Sequence, residues 1–257
     1  MSSEDSLFGK KVFFLNPPEV IKEVLPVLIE SEYEIYTTTD QTRLGRYLCK
    51  NPDCLVFVNI DEGEDERVWR SWIRSVKDNA ASAVTRFGVI TMMADDAKKQ
   101  TYIMDIGIEC GFIVVKIGAA RTIEILLKML QANEAKGRRK YVRTICPDDA
   151  ADFTCKTSAG LIRGALRDLS SAGMATGFVD NFAPGTGTRL KDLQLNLKGA
   201  RVIVSGVVIG GRDDDLKGPT RVIMFEPASL SDDKRSKLRS FVRRLLQLRM
   251  DQELSQA

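Results

Sequence analysis

Histidine is absent from the sequence. Its absence excludes Ser-His and Cys-His catalytic dyads and every metal site built from imidazole ligands. Cysteine is present in an odd number, 5, and no two cysteines form a C-x-x-C pair. A zinc site or a disulfide framework is therefore not expected, and reduced thiols in a cytoplasmic protein are the simpler interpretation. The cysteines are Cys49, Cys54, Cys110, Cys146 and Cys155.

Long apolar runs are lacking as well. No stretch approaches the roughly 20 uninterrupted apolar residues of a membrane helix, and the polar start MSSEDSLFGKK has no signal-peptide core. The sequence therefore predicts a cytoplasmic protein without a membrane span. It also contains no phosphate-binding loop, because Gly185-Thr186-Gly187 and Gly210-Gly211 are interpreted as hairpin turns. We expect no enzyme activity, no metal site and no cofactor.

Length and charge indicate two domains. The chain has 257 residues, whereas domains typically run to about 100–150 residues. Residues 1–135 carry 16 basic against 21 acidic side chains, and residues 136–257 carry 22 against 14. This change of sign favours two modules and an anionic partner for the second one. The alternative is that the positive excess only solvates a surface.

The first half alternates between strand-length apolar runs and helical patterns. Val68, Trp69, Trp72, Ile73 and Val76 have the spacing of one buried helix face. Five βα units with continuously apolar strands predict a parallel sheet covered on both faces. The predicted strands are Val12–Leu15, Glu34–Thr38, Leu55–Ile60, Phe87–Met92 and Phe112–Ile117.

The predicted strand ends carry few groups capable of chemistry. Asn16 follows the first strand, Asn59 ends the third, Met93 follows the fourth and Lys116 lies in the fifth. The number and spacing of the units resemble the receiver domain of two-component signalling over residues 9–135. The resemblance implies a flavodoxin-like fold, but receivers carry an acid pair, a phosphorylatable Asp and a Ser/Thr at the first three positions. Only the lysine is retained, so this segment is interpreted as a pseudo-receiver without phosphotransfer chemistry.

From about residue 136 the pattern changes to short strands with period-two alternation. Closely spaced antiparallel strands predict a small all-β barrel or sandwich. A terminal helix follows Ser231, which is a suitable N-cap, and its arginines are interpreted mainly as a solvated face. The predicted strands are Asp152–Lys156, Leu161–Leu169, Gly173–Val179, Asp192–Leu197, Ala200–Ile209 and Arg221–Phe225.

Two short motifs stand at the start of this region. Arg139 and Arg143 form R-x-x-x-R in a basic stretch, and Asp168, Ser170 and Gly173 form D-x-S-x-x-G on a turn between strands. Each motif alone is weak, and a soluble linker and a plain turn would explain them. In this order, with a barrel and a terminal helix following, the pair resembles the PilZ domain over residues 137–250.

The PilZ resemblance implies a receptor for the second messenger cyclic di-GMP. Arginine suits this ligand because a guanidinium can bond phosphate or guanine bidentately and can stack on a base. A carboxylate is the natural acceptor for the N1–H and N2–H₂ groups of guanine. A cation just before R-x-x-x-R, here Arg138, is associated in this family with binding an intercalated ligand pair. The implied site residues are Arg138, Arg139, Arg143, Asp168, Ser170 and Gly173.

The expected organisation is multidomain, with an α/β pseudo-receiver at residues 1–135 and an all-β PilZ barrel with a C-terminal helix at residues 144–257. A basic ligand-binding linker at residues 136–143 joins them. Ligand binding is expected to rearrange the domains and so regulate an unidentified protein partner in motility, chemotaxis or adhesion. The alternative is an adaptor whose linker and terminal helix bind nucleic acid or an anionic membrane. Against it, the basic stretch lacks aromatics beyond Tyr141 and no nucleic-acid motif is present.

Overall fold

The computed structural model describes residues 9–157, 160–179, 182, 184–212 and 219–257. The chain divides into two compact units. The first comprises the chain up to Lys140 together with Gln247–Ala257, and the second comprises Tyr141–Leu246. None of the helices in the described ranges has the length and apolar character needed to cross a bilayer.

The first unit is a five-stranded parallel sheet with helices, which confirms the predicted α/β class. Its strands pair in the order β2-β1-β3-β4-β5. The strands are β1 (Lys11–Leu15), β2 (Ile35–Thr38), β3 (Cys54–Asn59), β4 (Arg86–Thr91) and β5 (Phe112–Val114). The helices are α1 (Glu19–Glu30), α2 (Gln41–Lys50), α3 (Glu66–Asp78), α4 (Asp96–Gln100) and α5 (Ala119–Ala132), with a π-helical turn at Thr101–Ile106 after α4.

The central strands of this sheet are buried on both faces, as their uninterrupted apolar sequences require. Every residue of β3 is buried. The edge strand β2 is covered differently, by the side-chain amide of Gln247. This amide accepts a hydrogen bond from Thr37 N at 3.0 Å and donates one to Thr37 O at 2.9 Å. Gln247 thus satisfies backbone groups that an edge strand otherwise leaves unpaired.

The second unit is a closed antiparallel barrel, which confirms the predicted all-β class. The strands β8-β7-β10-β11-β12-β9 form a row that closes through a β8–β9 pairing, and β6 adds to the outer edge of β8. These strands are β6 (Arg143–Ile145), β7 (Ala151–Thr157), β8 (Gly160–Ser170), β9 (Gly173–Phe178), β10 (Arg189–Leu197), β11 (Ala200–Arg212) and β12 (Thr220–Phe225).

A long helix, α6 (Asp232–Ser255), follows the barrel strands. Ser231 accepts a hydrogen bond from Lys234 N at 3.4 Å, as an N-cap does. Leu238, Phe241 and Val242 of this helix belong to the barrel core. Of its arginines, Arg244 and Arg249 are exposed, whereas Arg235, Arg239 and Arg243 are half-buried.

One predicted turn is wrong. Gly210 and Gly211 lie within β11, where they pair with Val222 and Arg221 of β12. The pairing register shifts between Val208 and Gly210. The register shift marks a bulge just before Gly210, and Gly211 lies where two backbones approach closely, because a Cβ added there would lie 2.4 Å from Thr220 O.

Candidate functional site

The short strand β6 brings Arg143 of the first motif next to the second motif. It pairs antiparallel with the end of β8, so that Arg143 faces Ser170 and Ile145 faces Asp168. Residues that face each other across an antiparallel pair point to the same side of the sheet. Arg143 of R-x-x-x-R therefore shares one sheet face with Asp168 and Ser170 of D-x-S-x-x-G.

Burial identifies this shared face as the outer face of the barrel. The row of residues that includes Thr144, between Arg143 and Ile145 of β6, points inward, and its members are at most 4% exposed. That inner row is Thr144, Leu169, Met174 and Ile223, one residue on each of β6, β8, β9 and β12. The outer rows on either side of it are Ile145, Asp168, Ala175 and Val222, and Arg143, Ser170, Gly173 and Met224.

Arg143 and Asp168 carry the charge on this outer face. Arg143 is exposed and Asp168 is half-buried. Within the described ranges, neither the guanidinium of Arg143 nor the carboxylate of Asp168 has a hydrogen-bond or ion-pair partner. Burial, with a smaller effect of the Asp168 charge, raises the pKa of the nearby Cys146 thiol to about 12. The carboxylate of Asp168 can therefore accept hydrogen bonds from a ligand. The neighbouring thiol of Cys146 stays neutral.

Ser170 shapes the turn that follows Asp168. Its side chain is 3% exposed. The hydroxyl donates to Gly173 O at 3.1 Å and accepts from Ala172 N at 3.3 Å. Both hydrogen bonds lie inside the β8–β9 turn, so the hydroxyl holds the loop that ends the motif.

Glycine is required at position 173 because the backbones of β9 and β12 approach closely there. A Cβ added to Gly173 would lie 2.6 Å from Ile223 O of β12. Any side chain here would push β12 away from β9, where Met224 pairs with Gly173. Ser170 and Gly173 therefore fix the backbone of the β8–β9 turn and of the β9–β12 pair, next to Arg143 and Asp168.

Arg138 and Arg139 lie in the segment that follows α5 and are exposed. Both belong to the first unit, whereas Arg143, Asp168 and Gly173 belong to the second. The structure therefore unites the second-unit residues of the predicted site, and the roles of Arg138 and Arg139 stay predictions.

Large apolar side chains are exposed on the same outer face. Ile145, directly opposite Asp168, is 66% exposed, and Met224, the partner of Gly173, is 53% exposed. Single exposed apolar residues need no explanation. Two of them beside an unpaired acid and an unpaired arginine give a surface that suits a ligand with both flat faces and polar edges.

Sequence reasoning missed Arg167, which precedes Asp168. The β8–β9 register shifts between Leu166 and Asp168, so Arg167 is the extra residue of a β-bulge. A signal was present in the sequence. The inward positions Ile162, Gly164 and Leu166 alternate regularly, and the next inward residue is Leu169 rather than residue 168. A strand whose alternation slips by one residue has two consecutive outward side chains.

The carboxyl ends of the parallel strands in the first unit are occupied by a hydrogen-bonded network. Asn59 Nδ2 donates to Asn16 O at 2.8 Å, and Asp61 N donates to Asn59 Oδ1 at 3.2 Å. The carboxylate of Asp61 then accepts from Thr91 Oγ1 at 2.7 Å and from Met92 N at 2.5 Å. Asn59 and Thr91 are 1% and 2% exposed.

The end of β4 differs from the sequence prediction. The strand ends at Thr91, one residue before the predicted end at Met92, and the hydroxyl of Thr91 bonds Asp61. Within the described part of the chain, no group of three His, Cys, Asp or Glu residues could hold a metal ion.

Two kinds of solved structure match parts of this chain, namely proteins with a PilZ domain and a CheY chemotaxis protein. The PilZ domain of YcgR from Escherichia coli, solved with c-di-GMP, matches with 19% identity and a TM-score of 0.38, over 46% of this chain and 98% of that one. The Bacillus subtilis inhibitor of motility (MotI/DgrA) matches with 23% identity and a TM-score of 0.36, over 42% and 52%. The Vibrio cholerae chemotaxis protein CheY4 matches with 18% identity and a TM-score of 0.39, over 49% and 98%.

No protein-family model and no curated protein matches the sequence.

Proposed function

We propose that this protein is a receptor for cyclic di-GMP, bound on the outer face formed by β6, β8, β9 and β12. One observation carries the proposal. Arg143 of R-x-x-x-R lies across the β6–β8 pair from D-x-S-x-x-G, and Arg143 and Asp168 are unpaired on one face. An exposed arginine and a half-buried carboxylate on one face, not paired with each other, can both contact the same ligand.

The chemistry of the face suits a guanine nucleotide. The carboxylate of Asp168 can accept hydrogen bonds from guanine N1–H and N2–H₂, while the fork of Arg143 can bond phosphate oxygens or the N7/O6 edge of guanine. Ile145 and Met224 offer apolar surface to the faces of the bases and to the riboses. Arg138 and Arg139 would supply further positive charge to a ligand with two phosphates.

The proposed role is regulatory rather than catalytic. In the first unit, the amide of Asn59 stands where a receiver needs an acyl-phosphate acceptor, and Asp61 is bound by the chain's own Thr91 and Met92. This unit would serve as a docking or dimerising scaffold. Ligand binding would then control a protein partner, and motility, chemotaxis and adhesion are the processes that the PilZ resemblance favours.

The competing hypothesis is binding of nucleic acid or an anionic membrane. Titration of the full chain with cyclic di-GMP, with an unrelated DNA duplex and with anionic vesicles distinguishes the hypotheses. The receptor hypothesis expects saturable binding of cyclic di-GMP alone. Binding of the duplex or the vesicles, with loss of affinity as salt rises and no response to cyclic di-GMP, would contradict it.

A further inference from the structure

The β-bulge in β8 turns two consecutive side chains, Arg167 and Asp168, to the outer face. Leu166 pairs with Thr176 and Asp168 pairs with Ala175, which leaves Arg167 as the extra residue. Leu166 and Leu169 are both in the core, at 1% and 0% exposure. Bulges re-aim side chains in this way and are frequent beside functional sites.

The guanidinium of Arg167 is held at a defined place on that face. It donates a hydrogen bond to Thr220 Oγ1 and lies over Gly177, the cross-strand partner of Thr220. A Cβ on Gly177 would lie only 2.9 Å from Arg167 Nη2. The missing side chain of Gly177 therefore makes the room that the guanidinium occupies.

This place is next to the candidate site. Gly177 and Thr220 are two residues along their strands from Ala175 and Val222, which continue the row of Asp168. Two residues along a strand correspond to roughly 7 Å. Arg143 lies in the row on the other side, with Gly173 and Met224. The carboxylate of Asp168 is thus flanked by Arg143 in one direction and by Arg167 in the other.

We propose that Arg167 is a further contact residue for cyclic di-GMP, and that Gly177 and Thr220 are the residues that position it. The inference rests on the proposed function. A guanidinium fork can bond a phosphate or the N7/O6 edge of guanine bidentately, which an ammonium group cannot do. A long side chain that is already fixed loses less conformational entropy when the ligand binds.

The contact is tested by calorimetric titration of the full-length chain with cyclic di-GMP. Arg167→Gln lowers the affinity by about 10-fold or more, as expected for loss of one bidentate contact, and Arg167→Lys also binds more weakly than the wild type. The matched control is Arg163→Gln, an exposed arginine earlier on the same strand, which keeps wild-type affinity. Thermal unfolding of each variant shows whether its fold is intact.

The positioning role of Thr220 and Gly177 is tested by further variants in the same titration. Thr220→Val removes the hydrogen bond to Arg167 and weakens binding, whereas Thr220→Ser keeps a hydroxyl and restores it. In an Arg167→Gln background Thr220→Val causes no further loss, because the group that it positions is already absent. Gly177→Ala displaces the guanidinium and weakens binding in the same way.

The proposed function and the inference about Arg167 can be contradicted by different results. If the wild type binds cyclic di-GMP and Arg143→Ala weakens that binding while folded Arg167→Gln does not, the inference about Arg167 is wrong and the proposed function stands. Equal further loss from Thr220→Val with and without Arg167 overturns the positioning role. If the wild type does not bind cyclic di-GMP, the proposed function is wrong and the inference falls with it.

Discussion

Arg143 and Asp168 are diagonal neighbours across the β6–β8 pair, because Arg143 faces Ser170, two residues beyond Asp168. Diagonal neighbours in a sheet lie roughly 7–8 Å apart. At this separation both charges can reach the same small ligand. Their side chains do not form an ion pair with each other or with any other described residue.

This relationship predicts that both residues are needed for binding. Arg143→Ala and Asp168→Ala should each weaken binding of cyclic di-GMP by about 1–3 kcal/mol, because each removes one good polar contact. Calorimetry measures the change. Arg201→Ala, an exposed arginine on β11, is the control and should bind like the wild type. Wild-type affinity in both site variants would contradict the site assignment.

Ser170 and Gly173 should behave differently from Asp168, because the structure uses them to build the turn. Gly173→Ala places a Cβ 2.6 Å from Ile223 O and should destabilise the fold by about 1–3 kcal/mol. Ser170→Ala loses two turn hydrogen bonds and should cost about 1 kcal/mol. Asp168→Ala should leave the free energy of unfolding nearly unchanged. Denaturant unfolding checks this order, and an unaffected Gly173→Ala variant would be evidence against the structural role.

The first unit should not take up phosphate. Asn59 cannot form an acyl phosphate, and the carboxylate of Asp61 is engaged by Thr91 Oγ1 and Met92 N. Incubation with Mg²⁺ and labelled acetyl phosphate, followed by intact-mass analysis, should show no covalent phosphate. A Mg²⁺-dependent phosphoryl adduct on any residue of 1–135 would overturn the pseudo-receiver interpretation. A functional receiver domain, treated in parallel, is the positive control.

Arg138 should allow the protein to bind cyclic di-GMP as an intercalated pair. Two ligands bring four phosphates together and need an additional positive fork, and a guanidinium on an outer guanine face adds about 0.5–2 kcal/mol. Calorimetric stoichiometry should therefore approach two ligands per chain and fall towards one in Arg138→Leu. One ligand per wild-type chain would refute the pair. Two ligands bound by Arg138→Leu would show that another residue determines the stoichiometry.

The sequence predicted both fold classes because each depends on local periodicity. Continuous apolar runs such as that of β3 are typical of a buried parallel strand, and the alternation in β10 is typical of a barrel strand. The end of β4 was misplaced by one residue because an apolar run does not mark where sheet pairing stops. The hydrogen bond from Thr91 to Asp61 depends on how two neighbouring strands end, which the apolar pattern does not show.

The candidate site could be predicted only as a set of residue types. That Arg143 lies beside Asp168 depends on the register of β6 against β8, which no local pattern encodes. The structural roles of Ser170 and Gly173 depend on a turn and on a neighbouring strand. Arg167 was missed because a bulge reverses which residues face outward, and its significance appears only with Gly177 and Thr220 beneath its guanidinium.

The most direct test of the central claim is a map of backbone amide chemical shifts of the isotope-labelled full chain, recorded as cyclic di-GMP is added. The account predicts saturable shifts that are largest on the outer face of β6, β8, β9 and β12, at Arg143–Ile145, at residues 167–173 and at Met224. Amides of the opposite wall, at Gln194 and Ile203 in the β10–β11 pair, should move little. No shifts, or shifts centred on that wall, would contradict the claim that this face binds cyclic di-GMP.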